Sequence, residues 1–373
     1  MNGVRDIAIV GAGLAGLACA LSAAAAGASV QVFESAAAPA DPPAHIDVVP
    51  NLLRDLATLG VGDACLQRGF VHQGVRVVDC GSGAQWELPA ARLAGERYPP
   101  ALGLRYGVLL GLLADAARER GVQLRWGAPV RAIDAPHGRV ELGDGRHCRF
   151  DLVLLAGGAG ALPALAPWPA AALPAAAMQV WYALLPRPAE LDRSTWFIGP
   201  GARKTHLVPV ALDRAGVAVS RPAAPLHARP VAASRAASLR ALLCELPAPL
   251  PALAGHLRND DAVAVRAVRS ALQPRPWHRG ALLAVGDAAH ALPPHLGQAA
   301  AQSVEDAVVL GQLLRDAAPR EVLLERFEAR RYARAAQVHA LATQAARWDQ
   351  APAADTDLHG LHEALWRVVS TAA

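Results

Sequence analysis

Lysine is almost absent. Of 36 basic residues only Lys204 is a lysine and the others are arginine, set against 32 acidic residues for a formal charge of +4. The arginines form no block of five or six, and no aromatic-basic interleaving accompanies them, which argues against a nucleic-acid surface. The five cysteines, Cys19, Cys65, Cys80, Cys148 and Cys244, are odd in number and never spaced as C-x-x-C. That excludes a disulfide framework and a zinc site, leaves no metal to expect, and suits a reducing cytoplasm. Internal repeats and low-complexity linkers are missing too. The stretch Ile7 to Phe33 carries no charge, yet it is mostly Ala and Gly and lacks a basic n-region. No membrane span is expected from it. With 373 residues and 53% hydrophobic content, the chain can bury a large core and make two lobes.

What is present begins with Gly11-Ala12-Gly13-Leu14-Ala15-Gly16. The apolar run Ile7–Val10 precedes it, an Ala-rich helix to about Ala26 follows, and Ser29–Glu34 alternates as a second strand. Gly11 permits a tight turn, Gly13 leaves room for a pyrophosphate and Gly16 lets helix and strand pack closely. The helix N-terminus, with Leu14 and Ala15, offers free amides and a positive dipole end to phosphates. Glu34, ending the second strand, is placed to accept hydrogen bonds from a ribose hydroxyl. Alone, this pattern fits FAD and NAD equally.

The stretch Gly286-Asp287-Ala288-Ala289-His290-Ala291-Leu292-Pro293-Pro294-His295-Leu296-Gly297-Gln298 separates the two. It reads as a strand, Ala281–Val285, leading to an acid, then a Pro-containing turn and a new helix. Asp287 can accept from a ribityl hydroxyl. The helix beginning at Gly297-Gln298-Ala299 can favour negative charge on a reduced flavin ring. Pro294 shapes the turn that lies against that ring.

Elsewhere the pattern predicts helices near 51–59, 106–120, 232–246, 297–316 and 320–348, followed by a short tail. Strands are predicted at 122–126, 130–133, 140–142 and 151–155, with a Gly- and Pro-rich crossover over 157–175. Those at 178–185, 194–198, 206–210, 217–220 and 263–272 read as an antiparallel sheet. The fold class expected is α/β: a Rossmann-like FAD lobe over residues 1–70, 101–175 and 273–373, and an antiparallel-sheet substrate lobe over 71–100 and 176–272. On the long C-terminal helix, Arg326, Arg330, Arg331 and Arg334 read as a solvated face. Glu328 beside them reads as a position without a part in binding.

The segments Gly286–His290 and Glu305-Asp306-Ala307, joined with the first glycine turn, resemble the flavin-dependent aromatic hydroxylases of the p-hydroxybenzoate hydroxylase fold, nearest their salicylate-hydroxylase-like branch. The resemblance spans nearly the whole FAD lobe. It implies that Arg105 contacts FAD, that NAD(P)H reduces the flavin, and that O2 then gives a C4a-hydroperoxide which hydroxylates a small aromatic or heteroaromatic substrate. The chain departs from that family at Ala156–Ala161, where an Asp-Gly pair with a following Ser and Arg is usual. It departs again at Ser35 (an Arg), Ala299 (a Gly) and Ala301 (an Asn). These losses leave a separate flavin reductase, an FAD oxidoreductase with another reductant, and a non-catalytic flavin-binding protein as alternatives. His45, His206 and His295 are the candidates for taking a phenolic proton, with Pro294 beside them, since histidine titrates near neutrality. Trp181, Tyr182, Trp196 and Phe197 read as core. Monomer and homodimer both remain open.

Overall fold

The computed structural model describes residues 3–161, 165, 178–199, 203–222, 234–351 and 356–373. Most of the crossover expected over 157–175 lies outside them. A six-stranded sheet runs in the order His278–Arg279, Leu282–Ala284, Leu152–Leu155, Asp6–Val10, Ser29–Phe33, Gln123–Arg125. All its pairings are parallel except the first, which is antiparallel. Ile9 sits opposite both Leu154 and Val32. Strands buried on both faces must be apolar throughout, and Ile7–Val10 and Leu152–Leu155 are. Helix Leu14–Ala25 packs on helix Gln298–Arg315, so the uncharged stretch from Ile7 to Phe33 is a strand, turn, helix and strand inside this core. No helix among the described residues is long and apolar enough to cross a membrane.

A second sheet has seven strands, in the order Val263–Val268, Met178–Pro186, Arg214–Pro222, Arg203–Pro209, Ser194–Gly199, Gly74–Asp79, Gln85–Pro89. It is antiparallel except where Ser194–Gly199 pairs parallel with Gly74–Asp79. One face packs on helices Arg235–Cys244 and Leu250–Ala254 around Leu207, Val217 and Leu239. The other face is turned to the first sheet's cleft. The expected strand over 263–272 is interrupted, ending at Val268 and resuming as Ala271–Leu272.

Two expectations fail near the C-terminus. The short tail contains a helix, Leu358–Val369, capped by Asp357, whose side chain accepts from the Gly360 amide. Leu361, Leu365 and Val369 are its buried stripe. The arginine face is not solvated either. Arg331 is wholly buried, donating to Asp306 Oδ1 at 2.7 Å, to Glu305 and to Gln302. Arg334 pairs with Glu305 at 2.8 Å, and Glu328 is buried against Arg275 and the Trp277 amide. Arg330 is half-buried and donates to Gln312 Oε1 at 2.6 Å and to the Ala373 carbonyl, so of the four only Arg326 keeps the expected character.

Candidate active site

A cleft of about 450 Å³ opens where the first sheet's strands end, the place where doubly wound folds hold ligands. Gly11 has φ 108°, and a side chain there would come within 2.8 Å of the Ala156 carbonyl oxygen. At Gly16 a Cβ would lie 1.9 Å from the Gly11 oxygen, whereas Gly13 faces open space. Strand, turn and helix are thus drawn tightly together, with room left only at Gly13, Leu14 and Ala15 before the helix N-terminus. Glu34 Oε2 accepts from the Ala12 amide at 2.8 Å, and Oε1 accepts from Ala36 N at 2.8 Å and Ser35 Oγ at 3.0 Å. Partial burial works against ionisation, but the Ala36 and Ala12 amides outweigh it and hold the carboxyl below its usual range.

Across the cleft, strand Leu282–Ala284 ends before Gly286, whose φ of 59° turns the chain into the single-turn helix Asp287–His290. A Cβ on Gly286 would lie 2.6 Å from the Ala15 Cβ, so the two glycine turns rest directly on one another. The Gly286 amide donates to Asp306 Oδ2 at 2.8 Å. Asp287 opens to the cleft but is crowded by protein elsewhere, which raises its carboxyl above the ordinary range. Pro294, Gly297 (φ 66°) and Ala299 complete this side.

Four expected cofactor positions are not in the lining. Gly16 and Gly286 act by letting backbones approach. Gln298 is buried, accepting from the Asn51 amide group at 3.0 Å. Arg105 is bound to Asp41 at 2.6 Å.

The inner face of the seven-stranded sheet contributes Val180, Tyr182, His206, Ala218, Ser220 and Arg266. His45 and His206 both line the cleft. Burial brings His45 down to about 4, and burial with the Lys204 charge puts His206 well below the usual imidazole range. Gly216 makes room for His45, since a Cβ there would lie 2.3 Å from its ring. His295 is placed elsewhere: its ring is 1% exposed, 3.5 Å from Asp349 behind the turn, and burial lowers it to about 4. It is therefore dropped as a base in the cleft.

Several lining residues were not anticipated. Arg266 lies 5.6 Å over the Tyr106 ring, and Tyr182 meets His45 edge-on at 6.0 Å. Asp47 lines the cleft and contacts His72 Nε2 at 3.0 Å, with the His72 Nδ1 facing the Gly74 carbonyl. Strand alternation was the available signal: Val180 and Tyr182 alternate with Trp181 and Ala183, which face the outer core. Tyr182 is thus a cleft residue, while Phe197 is core as expected.

The sequence matches the family described as FAD binding domain over residues 5–142 and 263–342, more than half the chain. It is 27% identical to the aurachin C monooxygenase/isomerase of Stigmatella aurantiaca, covering 88% of this chain and 85% of that one. It is also 27% identical to the FAD-dependent urate hydroxylase of Klebsiella pneumoniae subsp. pneumoniae, at 87% and 85% coverage. The fold is shared with the tetrameric form of 2-methyl-3-hydroxypyridine-5-carboxylic acid oxygenase, at a TM-score of 0.81 and 21% identity over 98% of this chain and 96% of that one. It is shared as well with Klebsiella pneumoniae HpxO complexed with FAD and uric acid, at a TM-score of 0.77 and 24% identity over 99% and 94%. The glycine turns that close this cleft are accordingly those of a flavoprotein, and the chain belongs to the FAD binding domain family.

Proposed function

We propose that the protein is an FAD-dependent monooxygenase that hydroxylates a small aromatic or heteroaromatic compound in this cleft. The observation that carries the reading is the direct contact of the Gly11–Gly16 turn with the Gly286–Asp287 turn, in a chain of a flavin-binding family. Residues 1–70, 101–175 and 273–373 are assigned to the FAD lobe, and 71–100 and 176–272 to the substrate lobe. The division of strands between the two sheets supports this assignment.

The residues present fit FAD. Gly13 faces free space before a helix N-terminus, where Leu14 and Ala15 supply amides to a diphosphate. Glu34 is ionised and held by the turn, ready to accept from a ribose. No hydrogen bond uses the Asp287 carboxyl among the described residues, which leaves it an acceptor for a ribityl hydroxyl. Gly297, Gln298 and Ala299 open the helix whose N-terminal dipole faces the ring, and Pro294 shapes the turn before it. Arg105 is assigned a peripheral part, through Asp41 at 2.6 Å. Bound and reduced, FAD supplies the electrons that activate O2.

The remaining work falls to the chain. Tyr182, Val180, Ala218 and Ile46 shape the space for an aromatic ring and displace water from it. His206 and His45 are held uncharged, so each presents a lone pair to a substrate hydroxyl rather than a cation. Arg266 balances negative charge as the hydroxyl gives up its proton. Gly157, Ala161 and Ser35 stand where related enzymes place an acid, a hydroxyl and an Arg, so a separate flavin reductase is the second source of electrons.

The test is aerobic turnover with a panel of phenols and N-heteroarenes under labelled O2, with NADH, NADPH or a flavin reductase as donor. One labelled oxygen atom in the product supports the reading. Flavin reduction and reoxidation without incorporation, across the panel and all donors, contradicts it.

A further inference from the structure

The face of the seven-stranded sheet that lines the cleft continues beyond it. Tyr182, Ala218, His206, Trp196, Val77 and Trp86 stand opposite one another strand by strand, in one row across the sheet. The first three line the cleft, and the last three line a second cavity of about 180 Å³. The partition between them is the stack of Trp196 on His206, with ring centres 5.2 Å apart and planes 15° from parallel. The neighbouring row adds Ile198 and Lys204. The opposite wall comes from the two C-terminal helices, through Ala345, Asp349, Leu358 and His362.

The volume suits one six-membered ring, since an apolar cavity of about 150 Å³ admits benzene. Its walls are mostly apolar, but its polar atoms are unusual. Lys204, the only lysine of the chain and 5% exposed, lies 4.1 Å over the Trp196 ring and donates to the His295 carbonyl at 3.1 Å. Among the described residues no carboxylate lies within ion-pair distance of it. Asp349 Oδ2, Trp196 Nε1 and His362 Nε2 are buried without a hydrogen bond. The Asp349 side chain is only 8% exposed, and His295 Nε2 stands 3.5 Å from its Oδ2, beyond a good hydrogen bond. His362 Nδ1 donates to the Leu358 carbonyl at 2.6 Å, and burial keeps the ring uncharged, so Nε2 presents a lone pair. Buried polar atoms left unpaired are costly and call for a partner.

A ligand must therefore offer an apolar ring, an acceptor for Lys204 and a donor for Asp349 or His362. A single hydroxyl meets both polar demands. A carboxylate would set a second anion against Asp349, and an ammonium a second cation against Lys204. We propose that this cavity is a binding site for a neutral, single-ring phenol, separate from the flavin cleft, with its hydroxyl accepting from Lys204 and donating to Asp349 and its ring beside Trp196.

The probe is 4-fluorophenol, titrated into the purified holoprotein. Equilibrium dialysis counts the bound equivalents, fluorine NMR resolves them, and the visible flavin spectrum reports those next to the ring system. The proposal expects one equivalent that leaves the flavin spectrum unchanged, whatever the cleft itself takes up. Leu358→Trp, which fills the cavity, and Lys204→Met, which removes the donor at similar volume, should each weaken that equivalent at least tenfold. 4-Fluorobenzoate should bind there at least tenfold more weakly than the phenol. Absence of a spectrally silent equivalent, its survival in Lys204→Met, or a preference for the benzoate would overturn the proposal. Should Leu358→Trp fail to fold, Lys204→Met decides; because it also frees the His295 carbonyl, its flavin spectrum and urea midpoint are matched to the wild type before the titration is read.

Discussion

Arg331 and Asp306 meet at 2.7 Å with neither side chain exposed, and the other oxygen of Asp306 accepts from the Gly286 amide and from His290 Nε2. Burial alone would raise the Asp306 carboxyl, but the His290 ring and the Arg331 guanidinium outweigh it and bring it down to about 2. The long C-terminal helix is thereby tied to the Gly286 turn at the edge of the cleft. Arg331→Met removes the wholly buried cation between Glu305 and Asp306. That leaves Asp306 to His290 and the Gly286 amide, and Glu305 to Arg54 and Arg334, a loss of up to about 3–5 kcal/mol. The expected outcome is a large fall in the urea midpoint with weakened FAD retention. A variant of unchanged stability would show that the pair carries little.

Asp287→Ala removes an acceptor and leaves a cofactor hydroxyl unpaired, a loss of about 1–3 kcal/mol. FAD affinity should fall by roughly one to two decades, and Glu34→Ala should act in the same sense. Glu325 on the C-terminal helix is exposed and serves as the control, in place of the buried Glu328. Titrating apoprotein of each variant with FAD, followed by fluorescence quenching, measures this. Equal affinities would displace the site.

How legible was this site beforehand? Gly11, Gly13, Gly16 and Glu34 could be read directly, because a close backbone approach to phosphate restricts residue choice within one short segment. Asp287 and Pro294 were legible for the same reason. Tyr106, Asp47, Ser220 and Arg266 were not, since they reach the cleft from separate strands and helices and have no common spacing. Arg331 was misread as solvated, because its partners Glu305 and Asp306 stand on another helix. The helix Leu358–Val369 was missed although Leu361, Leu365 and Val369 carry its spacing.

Acid should destabilise the protein well before its carboxylates titrate. His45 and His295 are held to about 4 in the fold, against about 6.5 when unfolded. As pH falls through this window the unfolded chain takes up protons that the folded one refuses, costing up to about 1.4 kcal/mol per pH unit for each group. Asp306 acts in the same sense at lower pH, its contribution being complete above the unfolded carboxyl range and lost as pH falls from there to about 2. Urea midpoints at pH 7 and pH 5 should differ in the wild type, and the difference should shrink in His295→Gln. An unchanged difference would remove His295 from this account.

Reduction by a nicotinamide should be slow. Gly157 and Gly158 line the cleft without a side-chain donor or acceptor, and each hydrogen bond lost with the missing charged groups is worth about 1.5–3 kcal/mol. Anaerobic stopped-flow bleaching with NADH, NADPH and a reduced free flavin compares the donors. Bleaching faster with reduced flavin is the expected order. Rapid bleaching by either nicotinamide without substrate would show that the absent groups are dispensable.

The central claim, that the two glycine turns together hold FAD, is tested most directly by the cofactor itself. The purified protein should show the visible flavin absorption, and denaturation should release one FAD per chain, identified by mass and not covalently attached. A colourless protein that also fails to take up added FAD would contradict the account.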